Sequence, residues 1–214
     1  MGERLEEGGS LNNIGSVYYS LGQNEKALAY FQQSLTIRRE VGDRPGTGVS
    51  LNNIGAIYED RAQYAKALSY YQQSLTIRKE LGERRGEAIV LNNFGGVYSS
   101  LGQYEKALGY YQKSLTIDRE IGNRSGESAS LNNIGNTYDN LGQYKKALSY
   151  YRKALTITRE IGNLEGEGIS LSNIASAFNA QKQPQFATLF FKQSVSTYES
   201  IRADIRQLPI EQQK

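Results

Sequence analysis

The sequence predicts an all-α fold, a solenoid of stacked antiparallel helical hairpins. Three observations lead there: one phrase returns every forty residues, the apolar residues of each copy follow a helical period, and glycines fall where helices should end. Leu11-Asn12-Asn13-Ile14-Gly15 recurs as Leu51-Asn52-Asn53-Ile54-Gly55, Leu91-Asn92-Asn93-Phe94-Gly95 and Leu131-Asn132-Asn133-Ile134-Gly135. A worn fifth copy stands at Leu171-Ser172-Asn173-Ile174-Ala175, and residues 51–90 and 91–130 agree at 22 of 40 positions. Counted from the repeated Leu, the expected organisation is the tail of a preceding repeat in residues 1–10, repeats at 11–50, 51–90, 91–130 and 131–170, a diverged fifth at 171–207, and the start of a further helix in 208–214.

Within a repeat, Leu51, Ile54, Gly55 and Tyr58 fall at i, i+3, i+4 and i+7, one stripe of a first helix, A. Gly22, Gly102 and Gly142 stand where a left-handed residue would end that helix, with Ala62 and Lys182 filling the place in the other two repeats. The second helix, B, shows Ala67, Leu68, Tyr71, Leu75 and Leu81 on a broad apolar face and closes at Gly82, or at Gly42, Gly122 and Gly162. About eighteen residues make B roughly 27 Å long. Helix A is expected to begin near Glu87, Glu127 or Glu167, because a carboxylate suits a helix N-terminus. Gly15, Gly55, Gly95 and Gly135 beside the stripe of A, and Ala27, Ala67, Ala107, Ala147 and Ala187 at the opening of B, imply a close crossing of the two helices, slightly wider at Ala175.

Composition removes several chemistries. The 214 residues include no His, no Cys and no Trp, so imidazole bases, thiolate nucleophiles, disulfides and His- or Cys-ligated metals are excluded. The remaining carboxylates are spread evenly along a rod, so no catalytic site, cofactor or metal is expected. The longest apolar runs are too short to cross a membrane, and Gly2-Glu3-Arg4 is unlike a signal peptide, which gives a cytoplasmic expectation. A net charge of +3 is too mild to argue for nucleic acid.

The order Leu51, Ile54, Gly55, Tyr58, Ala67, Tyr71, Ser74 resembles the tetratricopeptide repeat (TPR). The resemblance covers nearly the whole chain. It departs from the usual unit by six extra residues and by the missing closing proline, as in the long-repeat branch of kinesin light chains and Pins/LGN scaffolds. Residues 101–117 and 194–209 are most similar to cyanobacterial proteins in which such arrays precede a caspase-like CHAT domain. What the resemblance implies is a right-handed superhelix with a concave groove lined by the A helices, and a protein-interaction module without chemistry of its own. Because Met1 through Ser10 align with Val41 through Ser50 and Leu208-Pro209 reads as a helix start, the chain is expected to be a piece of a longer protein.

At 100° per residue, Asn13, Ser16 and Ser20 point away from the buried stripe. The candidate peptide-binding residues are therefore the ladder Asn13, Asn53, Asn93, Asn133 and Asn173, together with Ser16, Ser20, Asp60, Ser100, Asn136 and Asn140. Asn is a poor residue for a helix interior, yet it recurs at one point of all five A helices. A carboxamide matches both groups of a peptide unit, and helices about 8 to 10 Å apart would meet every third residue of an extended segment. The alternative is structural: duplication copies everything, and a ladder Asn bonds its neighbouring helix. The adjacent Asn12, Asn52, Asn92 and Asn132 point to the inter-helix seam.

Helices A are read as carrying Glu59, Asp60, Glu87, Glu127, Asp139 and Glu167 with only Arg61 as a base, which makes the groove neutral to acidic. A lysine clamp for a terminal carboxylate is not evident, since Gly9, Val49, Ile89, Ala129 and Ile169 hold the positions four residues before the ladder. The expected partner is an internal protein or peptide segment of basic or neutral character. Two other readings compete. Uncapped ends could stack into a self-assembly. The ridge of Arg38, Arg39, Arg78, Lys79, Arg119, Arg124 and Arg159, with Tyr64, Tyr104 and Tyr144 as stacking platforms, could hold nucleic acid, against which the alternation of charge along it argues. The doubled tyrosines at 70–71, 110–111 and 150–151 are expected in the core or seam.

Overall fold

The computed structural model describes residues 2–207, and every described element is helical. The A helices are α1 (Gly2–Ser20), α3 (Arg44–Asp60), α5 (Arg84–Ser100), α7 (Arg124–Asn140) and α9 (Leu164–Ala180). The B helices are α2 (Asn24–Glu40), α4 (Tyr64–Glu80), α6 (Tyr104–Glu120), α8 (Tyr144–Glu160) and α10 (Pro184–Gln207). Two compact units divide the chain, Met1–Leu101 and Gly102–Lys214. In the first, hairpins α1–α2 and α3–α4 pack in sequence and α5 closes on α4; in the second, α6 packs on hairpin α7–α8, which packs on α9–α10. Consecutive antiparallel pairs thus stack as in a repeat solenoid. Residues 208–214, read as the start of another helix, lie outside the described residues.

The apolar period places the core between B of one hairpin and A of the next. In the first unit Ala27, Phe31 and Leu35 of α2 meet Leu51, Ile54 and Ile57 of α3. In the second, Ala147, Tyr151 and Leu155 of α8 meet Leu171, Ile174 and Ala177 of α9. Each large side chain so buried contributes about 1.5–3 kcal/mol.

The A helices start three residues earlier than the glutamates suggest. Asp43, Asn123 and Asn163 are the N-caps, their side-chain oxygens accepting from the backbone N–H of Gly46, Gly126 and Gly166 at 2.9, 3.3 and 3.0 Å. An Asx oxygen satisfies a first-turn donor directly, which outweighs the weaker pull of a carboxylate one turn in. Two corrections follow. The forty-residue frame counted from Leu11 cuts each A helix in the middle, and residues 2–10 are the first half of α1, not a separate tail. Arg44, Arg84, Arg85 and Arg124 belong to A helices, so Arg61, the C-cap of α3, is not their one base.

Gly22 and Gly142 end α1 and α7 at φ +69° and +70°, and Ala62 and Lys182 adopt the same left-handed turn at +54° and +57°. The close crossing has a steric cause: a Cβ on Gly55 would lie 2.6 Å from the Tyr71 ring, and one on Gly135 2.5 Å from the Tyr151 ring. In the last hairpin Ala175 carries that Cβ. There Phe191, at the position of Tyr151, is 42% exposed while Tyr151 is 1% exposed. The terminal helix α10 runs to 24 residues because Arg202 stands where the other B helices break at glycine.

Candidate functional site

The A helices set the inner side of each unit. α1 touches α3, α3 touches α5 and α7 touches α9, whereas among the described residues no such approach joins α2 to α4 or α8 to α10. Crowding on one side makes that side the inside of the curve.

The ladder lies on this face, at the seams between A helices. Asn13 is exposed and Asn53, Asn93, Asn133 and Asn173 are half-buried. In the first unit the ladder amides are engaged: Asn53 Nδ2 donates to Asn12 Oδ1 at 3.1 Å and Asn93 Nδ2 to Asn52 Oδ1 at 2.8 Å. In the second unit Asn132 pairs with Ser170 instead, donating through Nδ2 at 3.0 Å, and Asn173 Nδ2 is buried without a partner. The inner face therefore carries both roles, a structural bond in the first unit and an unpaired donor in the second.

The other candidate residues divide in the same way. Ser16 and Ser20 donate back to the carbonyls of Asn12 and Ser16, each at 3.0 Å, so only their lone pairs face outward. Asn136 Oδ1 accepts the Tyr151 hydroxyl at 2.6 Å. Asp60 stands near Tyr19, whose phenol is pushed up to about 12 by burial and by that carboxylate. Ser100 and Asn140 are exposed.

Two carboxylates are held near the inner face by features that sequence reasoning missed. Glu59 accepts the hydroxyl of the core residue Tyr71 at 2.7 Å, and burial holds its carboxyl above the ordinary range despite that bond. Asp139 stands at the equivalent place in α7; Tyr151 bonds Asn136 instead, Asp139 Oδ1 is buried without a partner, and burial again raises the carboxyl. The available signal was Tyr in place of Phe at 71 and 151, which adds a hydroxyl that a buried ring must satisfy. Glu87, Glu127 and Glu167 do not charge the inner face, being paired with Lys79, Arg119 and Arg159 across the turns.

Those pairs also occupy the basic ridge. Arg78 bonds Glu83, Arg38 lies 3.8 Å from Asp43, and Arg124 bonds Glu127 and Glu160. Tyr71, Tyr111 and Tyr151 are buried in the core; Tyr70 and Tyr150 stack on Tyr58 and Tyr138 at centroid separations of 5.4 and 5.5 Å. Tyr64, Tyr104 and Tyr144 are half-buried.

A cavity of about 220 Å³ opens between α7 and α9, lined by Ser125, Ser128, Ala129, Asn132, Asn133, Asn163, Glu165, Gly166 and Ile169. A ladder residue, two apolar side chains and short polar groups meet there. No cluster of three or more His, Cys, Asp or Glu suited to a metal occurs, and no helix is long and apolar enough to cross a membrane, among the described residues.

Solved structures share this architecture at low identity. BtubC (BKLC) from P. vanneervenii matches with a TM-score of 0.74 and 18% identity over 90% of this chain and 80% of that one. A putative kinesin light chain from Podosopora anserina with nearly identical TPR-like repeats matches with a TM-score of 0.71 and 17% identity over 95% and 99%. A Rap protein crystallised with competence and sporulation factor matches with a TM-score of 0.82 and 17% identity over 91% of this chain, which spans 55% of that protein. At such identities the likeness shows the fold. No curated protein matches. A tetratricopeptide-repeat model matches residues 6–80, 51–120, 86–160 and 126–200, so nearly the whole chain is accounted for. It belongs to the tetratricopeptide repeat family.

Proposed function

We propose that the chain is a non-catalytic protein-interaction scaffold whose A-helix face takes an extended peptide segment, internal to its partner and neutral or basic. The observation that carries this reading is the α7–α9 cavity, where ladder residue Asn133 stands beside Ala129 and Ile169 with short polar neighbours. Small side chains admit a backbone closely, the carboxamide matches a peptide unit, and the apolar pair suits an aliphatic side chain. Glu165 in the lining and the unpaired Asp139 on α7 favour a cation along the segment. The shared fold of the Rap protein crystallised with competence and sporulation factor supports a ligand held by such an array. Selection from displayed random dodecapeptides tests it: enriched internal sequences, neutral or basic, that lose binding to Ala129→Trp are expected, and selective enrichment of acidic C-terminal sequences overturns it.

One observation favours a second reading, self-association by end stacking. Ile14 and Val17 of α1 are exposed although Ile54 and Ile57 are buried, and Phe191 and Val195 of α10 are exposed although Tyr151 and Leu155 are buried. A mass that rises with concentration supports it; a monomer at high concentration refutes it. We also propose kinship with the TPR region of CHAT-domain proteins, supported by the phrasing of residues 101–117 and 194–209 and tested by whether the encoding open reading frame holds a CHAT domain, and a cytoplasmic setting, tested by cell fractionation.

A further inference from the structure

We infer that Asn173 is the carbonyl-binding residue of the A face, and that Ala154, on helix B of the preceding hairpin, is what frees it. The inference rests on the peptide-binding reading and names where in the second unit that segment is gripped.

The three described A–A seams differ in one hydroxyl. Between α1 and α3, Ser50 is engaged by Ser34 of α2 at 3.0 Å, so Asn12 Oδ1 stays available and accepts Asn53 Nδ2. Between α3 and α5 the position of Ser50 is held by Val90, which has no hydroxyl, and Asn52 Oδ1 accepts Asn93 Nδ2. Between α7 and α9 the residue is Ser170, and the place of Ser34 and Ser114 on helix B is taken by Ala154. Ser114 is the partner of Ser130 at 3.1 Å; Ala154 offers Ser170 nothing. Ser170 therefore gives its one proton to the Gly166 carbonyl at 2.9 Å and accepts from Asn132 Nδ2 at 3.0 Å, with Asn132 Oδ1 3.3 Å away. The Asn132 carboxamide is held towards Ser170, and Asn173 Nδ2 is left buried with no acceptor.

An unpaired donor of this kind gains a full hydrogen bond from any acceptor that arrives, whereas Asn53 and Asn93 would only exchange one partner for another. Asn173 lies one turn beyond Ile169 on the same face of α9, and Ile169 lines the 220 Å³ cavity with Ala129 and Asn133. The terminal torsion of an Asn side chain is soft, so the amide turns to meet a ligand. The ligand class is an extended segment that places a backbone carbonyl at Asn173 and a small aliphatic side chain in the cavity.

The test uses dodecapeptides selected on the parent chain, with affinities measured by fluorescence anisotropy. Asn173→Ala is expected to weaken binding by about tenfold, and Asn53→Ala and Asn93→Ala by under about threefold. Two further substitutions close the donor by different routes: Ala154→Ser restores a partner for Ser170, and Ser170→Val reproduces the seam at Val90. Each should release Asn132 to Asn173 and weaken binding about as much as Asn173→Ala, while circular dichroism and urea unfolding show a chain at least as stable as the parent. Peptides that bind with affinity indifferent to Asn173→Ala, Ala154→Ser and Ser170→Val overturn this inference and leave the groove reading standing. Failure to select any peptide ends both.

Discussion

The two compact units repeat one phrase, yet their inner seams are wired differently. In residues 1–101 the amides of Asn53 and Asn93 are both bonded across to the preceding A helix; in the seam between α7 and α9 the same amide is unpaired, and Asp139 adds an unpaired carboxylate oxygen on α7. The difference does not arise on the inner face. It traces to Ala154 on an outer helix, through Ser170 and Asn132. A polar ladder in a repeat protein is thus a network in which a distant hydroxyl decides who is bonded to whom, and position in the repeat does not by itself fix a residue's role.

Four measurements break or sharpen that contrast. The largest effect should be common to both units and serves as its control. Gly55→Ala and Gly135→Ala each drive a methyl into a buried tyrosine ring and should cost about 2–3 kcal/mol by urea unfolding. Ala175→Gly, where the last hairpin already accommodates a methyl, should cost only about 1 kcal/mol of helix propensity. If Gly135→Ala were mild, the crossings themselves would differ and the hydroxyl account would lose its footing. Next comes the ladder. Asn93→Ala strands the Asn52 oxygen and should cost about 1–2 kcal/mol, while Asn173→Ala deletes an unpaired donor and should be neutral or gain a few tenths of a kcal/mol. Equal losses at the two positions would erase the distinction between the units.

The left-handed turns give a smaller effect, present once in each unit. Ala62→Gly and Lys182→Gly relieve a Cβ at positive φ and should each stabilise by about 1 kcal/mol, seen as a higher urea midpoint with unchanged slope. The least effect is the pH dependence of the unpaired acid. Burial holds the Asp139 carboxyl above its ordinary range, so its contribution to stability is present below the unfolded pKa and is lost as pH rises through the folded one. Asp139→Asn should therefore gain stability over the parent at pH 7 and none at pH 3. Glu127 runs the other way: against burial, hydrogen bonds from Arg119 and Arg124 hold it below its ordinary range, so its contribution is present at neutral pH and lost on acidification. A parent and an Asp139→Asn chain with parallel pH profiles would show that the Asp139 oxygen is satisfied.

Much of the fold was legible because it depends on spacing alone. Leu51, Ile54 and Ile57 repeat with the helical period and are buried, and the glycines at 22, 42 and their equivalents have the left-handed turns their position suggests. The helix starts were misread because Asp43, Asn123 and Asn163 look like loop residues until their side chains are seen to accept from the first turn. The angle of 100° per residue puts Asn13 opposite the stripe, but nothing in that angle says what the ladder amides bond. Whether Asn53 or Asn173 is free depends on which hydroxyl lies on a helix of another hairpin, and no periodicity within one helix carries that information.

The ion pairs at the hairpin mouths bear on how such a chain grows. Arg4 with Glu40, Arg44 with Glu80 and Arg124 with Glu160 each join the opening turn of an A helix to the last residue of its own B helix. Both halves of the fastening therefore sit inside one forty-residue stretch, so a tandem duplication of the gene segment copies the lock with its key. A new hairpin arrives already able to close, and only its seams with its neighbours remain for later substitutions, such as Ala154, to edit.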